Sequence, residues 1–391
     1  MTRDGFVPFS VPAIGEEEIA AVAEVLRSGW LTTGPQTKKF EAAFSKYLGA
    51  DDLQSIAVSS ATAGLHLALE AVGVRAGDEV IAPTLTFTAT VEVVRYLGAE
   101  PVLVDVDPIT LTIDVDRIRE SITPRTKAIM PVHYGGLSCD MTKILELARR
   151  HDLKVVEDAA HALPTTWQGG LIGTLQSDAT VFSFYANKTM TTGEGGMVVT
   201  RNASIADRMR VMRTHGINRD AFDRFVSKTP AWYYEVIAPG FKYNLTDIAA
   251  AVGLQQLAKL NSFSVRRRQL AERYRDALAD LPLILPASAP AGDLHAWHLY
   301  VVRLANDCGQ TREEVIQRLA DMGVGTSVHY VPLHRQPYWR DRYSLTPEMF
   351  PMADAAYLRM ISIPLSAGMP DAAQAQVIDA LRAILLSPLR G

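Results

Sequence analysis

Apolar residues recur along this chain with two different periods, and together these periods predict an α/β protein. Near the N-terminus, the apolar positions of segments 19–26 and 40–47 recur at i, i+3, i+4 and i+7, the spacing of an amphipathic helix. We expect both helices to turn these apolar stripes toward the core.

Between residues 55 and 200, short runs rich in β-branched residues alternate with helical segments. The seven candidate strands are 55–58, 79–82, 101–106, 128–133, 154–157, 179–184 and 196–200. Helical segments at 63–72, 89–97 and 141–151 separate several of them. This alternation predicts a seven-stranded, mainly parallel sheet with helices on both faces.

A change of pattern near residue 265 predicts a second domain. A long polar helix covers 261–275, and its three consecutive arginines, 266–268, are expected to face solvent. A proline-rich stretch follows, so we place a large α/β domain at 1–265 and a smaller α+β domain at 266–391. The second domain should contain a strand at 297–304, a helix at 312–322, a strand or turn at 326–330 and a terminal helix at 370–385.

Charge and composition exclude several classes of protein. The 391 residues include 39 Lys and Arg against 43 Asp and Glu, a net charge of -4. Such balance offers no basic field for nucleic acid or a membrane surface. With no long apolar run and no leader-like N-terminus, the sequence predicts a soluble, cytoplasmic protein.

The cysteines and histidines predict neither a disulfide framework nor a metal site. Cys139 and Cys308 lie far apart in the chain, without a C-x-x-C motif. The histidine pairs 295/298 and 329/334 lack the carboxylate arrangement of a zinc site.

Polar residues follow three of the candidate strands, where parallel sheets bind ligands. Segment 59–64, Ser-Ser-Ala-Thr-Ala-Gly, opens a helix after the first strand and would suit a phosphate, although plain capping by Ser60 or Thr62 is the better explanation of this segment taken alone. Asp158 ends another strand beside His161, and Ser183 and Lys188 follow a third. Each residue alone has an ordinary structural explanation.

In combination, these residues suit pyridoxal 5'-phosphate. Its phosphate favours a helix N-terminus, its ring nitrogen an anionic partner such as Asp158, and its aldehyde a lysine such as Lys188. No G-x-S-x-G motif suggests a serine hydrolase, and Gly-Glu-Gly-Gly at 193–196 is not a dinucleotide-binding loop.

Five segments extend this interpretation to a family. The sequences SSATAGLHLAL, EDAAHA, FSFYANKTMTTGEGGMV, FKYNLTDIAAAVGLQQL and GTSVHYVPLH resemble, in this order, the signatures of the DegT-type nucleotide-sugar aminotransferases. These are fold-type I enzymes dependent on pyridoxal 5'-phosphate. The resemblance runs from residue 28 to residue 369 and is greatest to the UDP-4-amino-4-deoxy-L-arabinose synthases and related sugar C4 aminotransferases.

The resemblance implies a role for individual residues. Lys188 would form a Schiff base with the cofactor, Asp158 would pair with its ring nitrogen, and His161 would lie near its ring hydroxyl. Phe87 matches an aromatic position stacked on the ring, where the arabinose enzymes have Trp. The phosphate would be bound by Thr62, Ala63 and Ser183, and by Asn244 of a neighbouring subunit.

On the substrate side, the resemblance implies contacts from Trp30, Tyr185 and His329. It implies transfer of an amino group from L-glutamate, released as 2-oxoglutarate, to C4 of a nucleotide-linked keto sugar, in a homodimer that serves polysaccharide or lipopolysaccharide synthesis. The alternatives are amination at C3, a sugar 3-dehydratase, which carries His in place of Lys188, and a regulator without turnover. The nucleotide, the type of sugar and the axial or equatorial orientation of the new amine are expected to depend on the segment after His329 and on segment 210–240, with His215, Arg219, Arg224, Trp232 and Tyr233.

Overall fold

A computed structural model describes residues 5–50, 52–218 and 233–386. Its largest element is a seven-stranded sheet, and every strand of it overlaps one of the segments that the sequence predicts, although β4 begins two residues earlier than expected and ends at 129 rather than 133. The strands are β1 (Gln54–Val58), β2 (Glu79–Pro83), β3 (Glu100–Val104), β4 (Thr126–Ile129), β5 (Lys154–Asp158), β8 (Ala179–Ser183) and β9 (Gly196–Thr200). A two-stranded hairpin, β6 (Thr166–Trp167) and β7 (Gly170–Leu171), lies between β5 and β8 in the chain.

The sheet is mainly parallel, as predicted. Its strand order is β1-β9-β8-β5-β4-β2-β3. Strand β9 runs antiparallel to both of its neighbours, β1 and β8, whereas the other pairs are parallel. The carboxyl ends of β5 and β8 therefore lie at the same edge, which brings the polar segments after them together.

Helices cover both faces of this sheet because successive strand side chains alternate between two apolar clusters. In β8, for example, Val181 packs into one cluster and Phe182 into the other. The first cluster includes residues of α3 (Ala61–Ala71), α4 (Ala89–Tyr96) and α7 (Ala203–Met212). The second includes residues of α2 (Pro35–Leu48), α6 (Met141–Arg150) and α8 (Asp247–Leu278); α5 (Val115–Ser121) adds Ile118.

The prediction that both N-terminal helices turn their apolar stripes to the core is confirmed for α2 but wrong for α1 (Glu16–Ser28). Phe40 and Phe44 of α2 are fully buried. In α1, Ile19 and Leu26 are 56% and 54% exposed, and the buried residues are Glu18 and Val25. The buried face of α1 is polar because the Glu18 carboxylate accepts hydrogen bonds from Lys259 and Gln256 of α8.

The C-terminal part contains a second, antiparallel sheet. Its order is β10-β11-β12, and α8 runs without a break through residue 265 into this region. The division at 265/266 stays a prediction. The remaining elements are β10 (Leu283–Ile284), β11 (Tyr300–Leu304), α9 (Arg312–Asp321), α10 (Pro337–Tyr343), α11 (Pro351–Tyr357), β12 (Met360–Ile363) and α12 (Asp371–Leu385). Segment 326–330 forms a single bridge, Ser327 to Ser362, rather than a strand.

In the arginine triplet of α8, the expectation of a solvated face is wrong for Arg267, whereas Arg268 is exposed and Arg266 is partly exposed. Arg267 is 3% exposed, and its guanidinium donates hydrogen bonds to the carbonyl oxygens of Trp297 and Leu365. It thereby joins the long helix to two loops of the C-terminal region. Across the described ranges, the model contains no helix with both the length and the apolar character required to span a membrane.

Candidate active site

A cavity of about 460 Å³ opens at the carboxyl ends of β5 and β8, beside the N-terminus of α3. Eight of the residues predicted for the site line it: Thr62, Phe87, Asp158, His161, Ser183, Tyr185, Lys188 and His329. These residues come from segments up to 267 positions apart, yet the parallel sheet collects them at one edge. The fold therefore brings together most of the residues that the sequence predicts for the site.

Lys188 lies on the turn after β8, at the wall of this cavity. Its backbone N–H donates to the carbonyl oxygen of Tyr185 at 3.0 Å, which fixes the turn. Burial lowers the pKa of the Lys188 amine to about 8, and the negative charge of Asp158 opposes this effect. An amine with a lowered pKa is more often neutral near pH 7, as a nucleophile or a base requires.

Asp158 ends β5 and is 5% exposed. The Thr90 hydroxyl donates to Oδ2 at 2.8 Å, and the Ala160 N–H donates to Oδ1 at 3.1 Å. Burial raises the pKa of Asp158, whereas the hydrogen bond from Thr90 is the largest of the effects that favour the charged form. Each oxygen keeps acceptor capacity, so the carboxylate can receive a further donor from the cavity.

The N-terminus of α3 provides backbone donors beside the same cavity. Ser60 caps the helix by accepting from the Ala63 N–H at 3.1 Å. The N–H groups of Ala61 and Thr62 belong to the first turn and have no intrahelical acceptor. Ser60, Ala61 and Thr62 line the cavity, whereas Ala63 does not. The capping and anion-binding interpretations of this segment are thus compatible, because they use different N–H groups.

Burial favours the neutral form of both histidines that line the site. Burial lowers the pKa of His161 well below its usual range, with a smaller effect from Lys188. Burial also lowers the pKa of His329 to about 4. His329 Nδ1 lies 2.8 Å from Ser362 Oγ, and its ring stacks on Phe9 at 5.2 Å. His329 is therefore a structurally anchored residue as well as a lining one.

Two other predicted residues, Trp30 and Asn244, lie together outside the lining of this cavity. The Trp30 indole donates to the Thr33 carbonyl oxygen at 3.1 Å, and the Asn244 side-chain amide donates to Thr33 Oγ1 at 2.7 Å. Lys242 Nζ donates to Asn244 Oδ1 at 2.6 Å. The predicted residues Arg219, Arg224 and Trp232 lie outside the described ranges.

Sequence reasoning missed several lining residues. They are Thr86, Thr90, Asn187, Glu194 and Tyr330. Tyr330 and Asn187 each adjoin a predicted residue, so motif context could have found them. Thr90 lies inside α4, where a threonine carries no distinguishing pattern, and only its hydrogen bond to Asp158 reveals its position.

Comparison with protein families decides the class of this protein. Residues 12–382 match the model of the DegT/DnrJ/EryC1/StrS aminotransferase family. The chain belongs to this family. It is therefore a sugar aminotransferase dependent on pyridoxal 5'-phosphate, and the sequence-based recognition, fold-type I assignment and cofactor prediction are confirmed.

Individual relatives cover nearly the whole chain. The spore coat polysaccharide biosynthesis protein SpsC of Bacillus subtilis (strain 168) is 45% identical over 385 residues, which are 98% of each protein. The putative sugar aminotransferase Spr1654 of Streptococcus pneumoniae, in its PMP form, superposes with a TM-score of 0.90 at 33% identity, covering 97% of this chain and 99% of that one. Helicobacter pylori PseC, an aminotransferase involved in the biosynthesis of pseudoaminic acid, gives 0.89 at 28%, covering 98% and 99%.

The residues of the cavity fit the cofactor of this family. Asn187 Oδ1 is a buried acceptor on the cavity wall, and the described chain offers it no hydrogen-bond partner. A buried polar atom without a partner is costly, which indicates a polar ligand here. The unused N–H groups of α3 suit a phosphate, Asp158 suits a protonated ring nitrogen, and Lys188 suits an aldehyde.

Proposed function

We propose that this sugar aminotransferase transfers the amino group of L-glutamate to a keto group, at C4, of a nucleotide-linked sugar. One observation carries the proposal: a single cavity brings together the amine of Lys188, the carboxylate of Asp158 and the N-terminus of α3. The nucleotide and the C4 position rest on the resemblance of the motifs. The reaction exchanges the amine of glutamate for the keto oxygen of the sugar, so the products are 2-oxoglutarate and an amino sugar.

When bound, pyridoxal 5'-phosphate supplies an aldehyde and a ring that accepts an electron pair from the carbon next to an amine. Asp158 would hold the ring nitrogen protonated, because a nearby negative charge favours the charged form. Ala61, Thr62 and Ser183 would bind the phosphate. Phe87 would pack against the ring.

Lys188 has two roles in the proposal. It anchors the cofactor, and once replaced by the amino group of a substrate it carries a proton from the substrate carbon. Its lowered pKa suits both roles, because the neutral amine is the nucleophile and the base. Positioned proton transfer of this kind contributes a factor of about 10² to 10⁴ to the rate.

A homodimer with shared sites is part of the same proposal. Phe87 and Tyr185, which line the cavity, are 56% and 49% exposed, as expected for aromatic residues that a second subunit covers. Asn244 is absent from the cavity of its own chain, and Trp30 lies beside it. The position of both residues outside the cavity of their own chain is what a role in the site of a neighbouring subunit would require. The exposed apolar stripe of α1 offers additional surface for association.

The decisive experiment is a screen of keto sugars. The purified protein, loaded with pyridoxal 5'-phosphate, is incubated with L-glutamate and UDP-, dTDP- or GDP-linked sugars that carry the keto group at C4 or at C3. We expect 2-oxoglutarate to appear with a 4-keto sugar, and the product to carry nitrogen at C4. Lys188→Ala serves as the control, with no turnover expected.

Three results would contradict the proposal. Amination at C3 would correct the position of the reaction. Loss of a hydroxyl group without incorporation of nitrogen would indicate a dehydratase. Failure to release 2-oxoglutarate with every sugar would favour a regulator that binds the cofactor without turnover. The polysaccharide role named for SpsC supports an amino sugar destined for a polymer.

A further inference from the structure

Tyr330 lies on the cavity wall between aromatic residues of the site. Its ring centroid is 6.0 Å from that of His161, 5.7 Å from Phe87 and 5.0 Å from His329. Its hydroxyl oxygen lies 3.0 Å from His161 Nε2. The phenol therefore faces the part of the cavity that His161 and Phe87 border.

The direction of the hydrogen bond between His161 and Tyr330 follows from the other ring nitrogen. The Gly135 N–H, which can only donate, lies 3.2 Å from His161 Nδ1, so Nδ1 is the acceptor. Because His161 is neutral, its one proton must be on Nε2. The Nε2–H group thus donates to the oxygen of Tyr330.

This arrangement leaves the hydrogen of the Tyr330 hydroxyl available. An oxygen that accepts from His161 must point its own hydrogen elsewhere, and within the described ranges His161 is its sole hydrogen-bond partner. Burial raises the pKa of Tyr330, so the hydroxyl stays protonated at neutral pH. Tyr330 therefore presents an oriented O–H donor in the cavity.

We propose that the Tyr330 hydroxyl, oriented by His161, donates a hydrogen bond to the phenolic oxygen of the bound pyridoxal ring. This inference rests on the proposed function and on the place beside the ring hydroxyl that the family resemblance implies for His161. With the cofactor bound, a donor at this oxygen would stabilise its anionic form, so the linkage between Lys188 and the cofactor would release its proton to solvent at a lower pH. Tyr330 would then lower the pKa of the linkage between Lys188 and the cofactor.

The test is a pH titration of the visible absorption of the protein loaded with pyridoxal 5'-phosphate. Tyr330→Phe removes only the hydroxyl group, and we expect the pKa of the visible transition to rise by about one unit, the effect of one hydrogen bond to a charged oxygen. Tyr338→Phe is the matched control, because Tyr338 is 57% exposed on α10 and outside the cavity lining; its titration should match the unmodified protein.

A double-mutant cycle tests the orienting role of His161. In a His161→Ala protein, nothing holds the Tyr330 hydroxyl in one direction. Tyr330→Phe should therefore shift the pKa less in that background than in the unmodified protein, because interacting residues give non-additive effects. Equal pKa shifts in the two backgrounds would contradict the inference that His161, whose tautomer Gly135 sets, orients the Tyr330 hydroxyl.

Other outcomes separate this inference from the proposed function. An unchanged pKa in Tyr330→Phe, with a higher KM for the keto sugar, would overturn the inference and make Tyr330 a sugar contact, while the aminotransferase function stands. A visible band that persists in Lys188→Ala would overturn the proposed anchoring role of Lys188, and this inference with it.

Discussion

At the residue scale, the pKa of Lys188 determines how the protein binds its cofactor. A lysine in water has a pKa near 10.4, whereas burial lowers that of Lys188 to about 8. The neutral fraction of the amine rises as pH passes through its pKa. We therefore expect the rate of attachment of pyridoxal 5'-phosphate to the cofactor-free protein to increase up to about pH 8 and then level off.

Stopped-flow absorbance at a series of pH values measures this rate. A rate that continues to rise toward pH 10 would show an ordinary, solvated lysine. Lys188→Ala serves as the control for attachment at other lysines.

Thr90 opposes the effect of burial on the pKa of Asp158. Its hydroxyl donates to the carboxylate at 2.8 Å and favours the charged form. Thr90→Val should raise the pKa of Asp158 further and weaken its pairing with a protonated ring nitrogen. We expect roughly a tenfold weaker affinity for the cofactor, the effect of about 1.4 kcal/mol from one hydrogen bond to a charged group.

Thr180→Val is the matched control. Thr180 is also buried, and it donates at 2.7 Å to Glu157, the residue before Asp158. Both variants should lose stability, but the Thr180 variant should retain its cofactor affinity, as measured by titration of absorbance. Equal losses of affinity would mean that the effect is general to the packing of β5.

At the element scale, the position of α3 depends on Gly64. A Cβ atom there would lie 2.8 Å from Val181 and 2.9 Å from Val198, so only glycine allows the helix to lie this close to β8 and β9. Gly64→Ala should displace the N-terminus of α3. We expect a loss of stability of about 1–3 kcal/mol and weaker binding of the cofactor phosphate.

Gly253→Ala is the control that separates the loss of stability from the weaker binding of the cofactor. A Cβ at Gly253 would meet the ring of buried Phe40 at 2.7 Å, in the opposite layer of helices. Thermal unfolding should show a comparable loss for both variants, and cofactor titration a loss for Gly64→Ala alone. Normal cofactor affinity in Gly64→Ala would show that binding of the phosphate does not depend on the position of α3.

The observed helices and strands also show which sequence patterns predict structure correctly. Strands buried on both faces appear as continuous apolar runs, and all seven segments became strands. The apolar stripe of α1 was misleading, because periodicity shows that a helix has an apolar face without showing what covers it. Arg267 gave the opposite error, because a charged residue that was expected to face solvent is buried. Its guanidinium donates to three carbonyl oxygens of loops that are distant in the chain, and no local pattern indicates them.

At the scale of the whole molecule, mixed dimers test whether Asn244 acts in the neighbouring site. Lys188→Ala and Asn244→Ala chains are each expected to be inactive or nearly so. If Asn244 serves the partner, a mixed dimer has one site with both residues intact. A random mixture should then recover about one quarter of the normal activity, because half of the dimers are mixed and each has one working site.

Activity of the mixture, compared with each variant alone, is the measurement. No recovery in a mixture of proven heterodimers would place Asn244 in the site of its own chain. Mixing Lys188→Ala with Asp158→Ala is the matched control, because both residues line one cavity and no recovery is expected.

The amino-acid sequence by itself determined the strands, the class of fold, the cofactor and the order of the candidate residues. Hydrophobic periodicity and motif chemistry are local, so they can be read without coordinates. Tertiary structure alone decided that Thr90 contacts Asp158, that Gly135 sets the tautomer of His161 and that the Tyr330 oxygen accepts a hydrogen bond from His161. These contacts join residues 26 to 169 positions apart, and only the folded backbone determines such distances and hydrogen-bond directions.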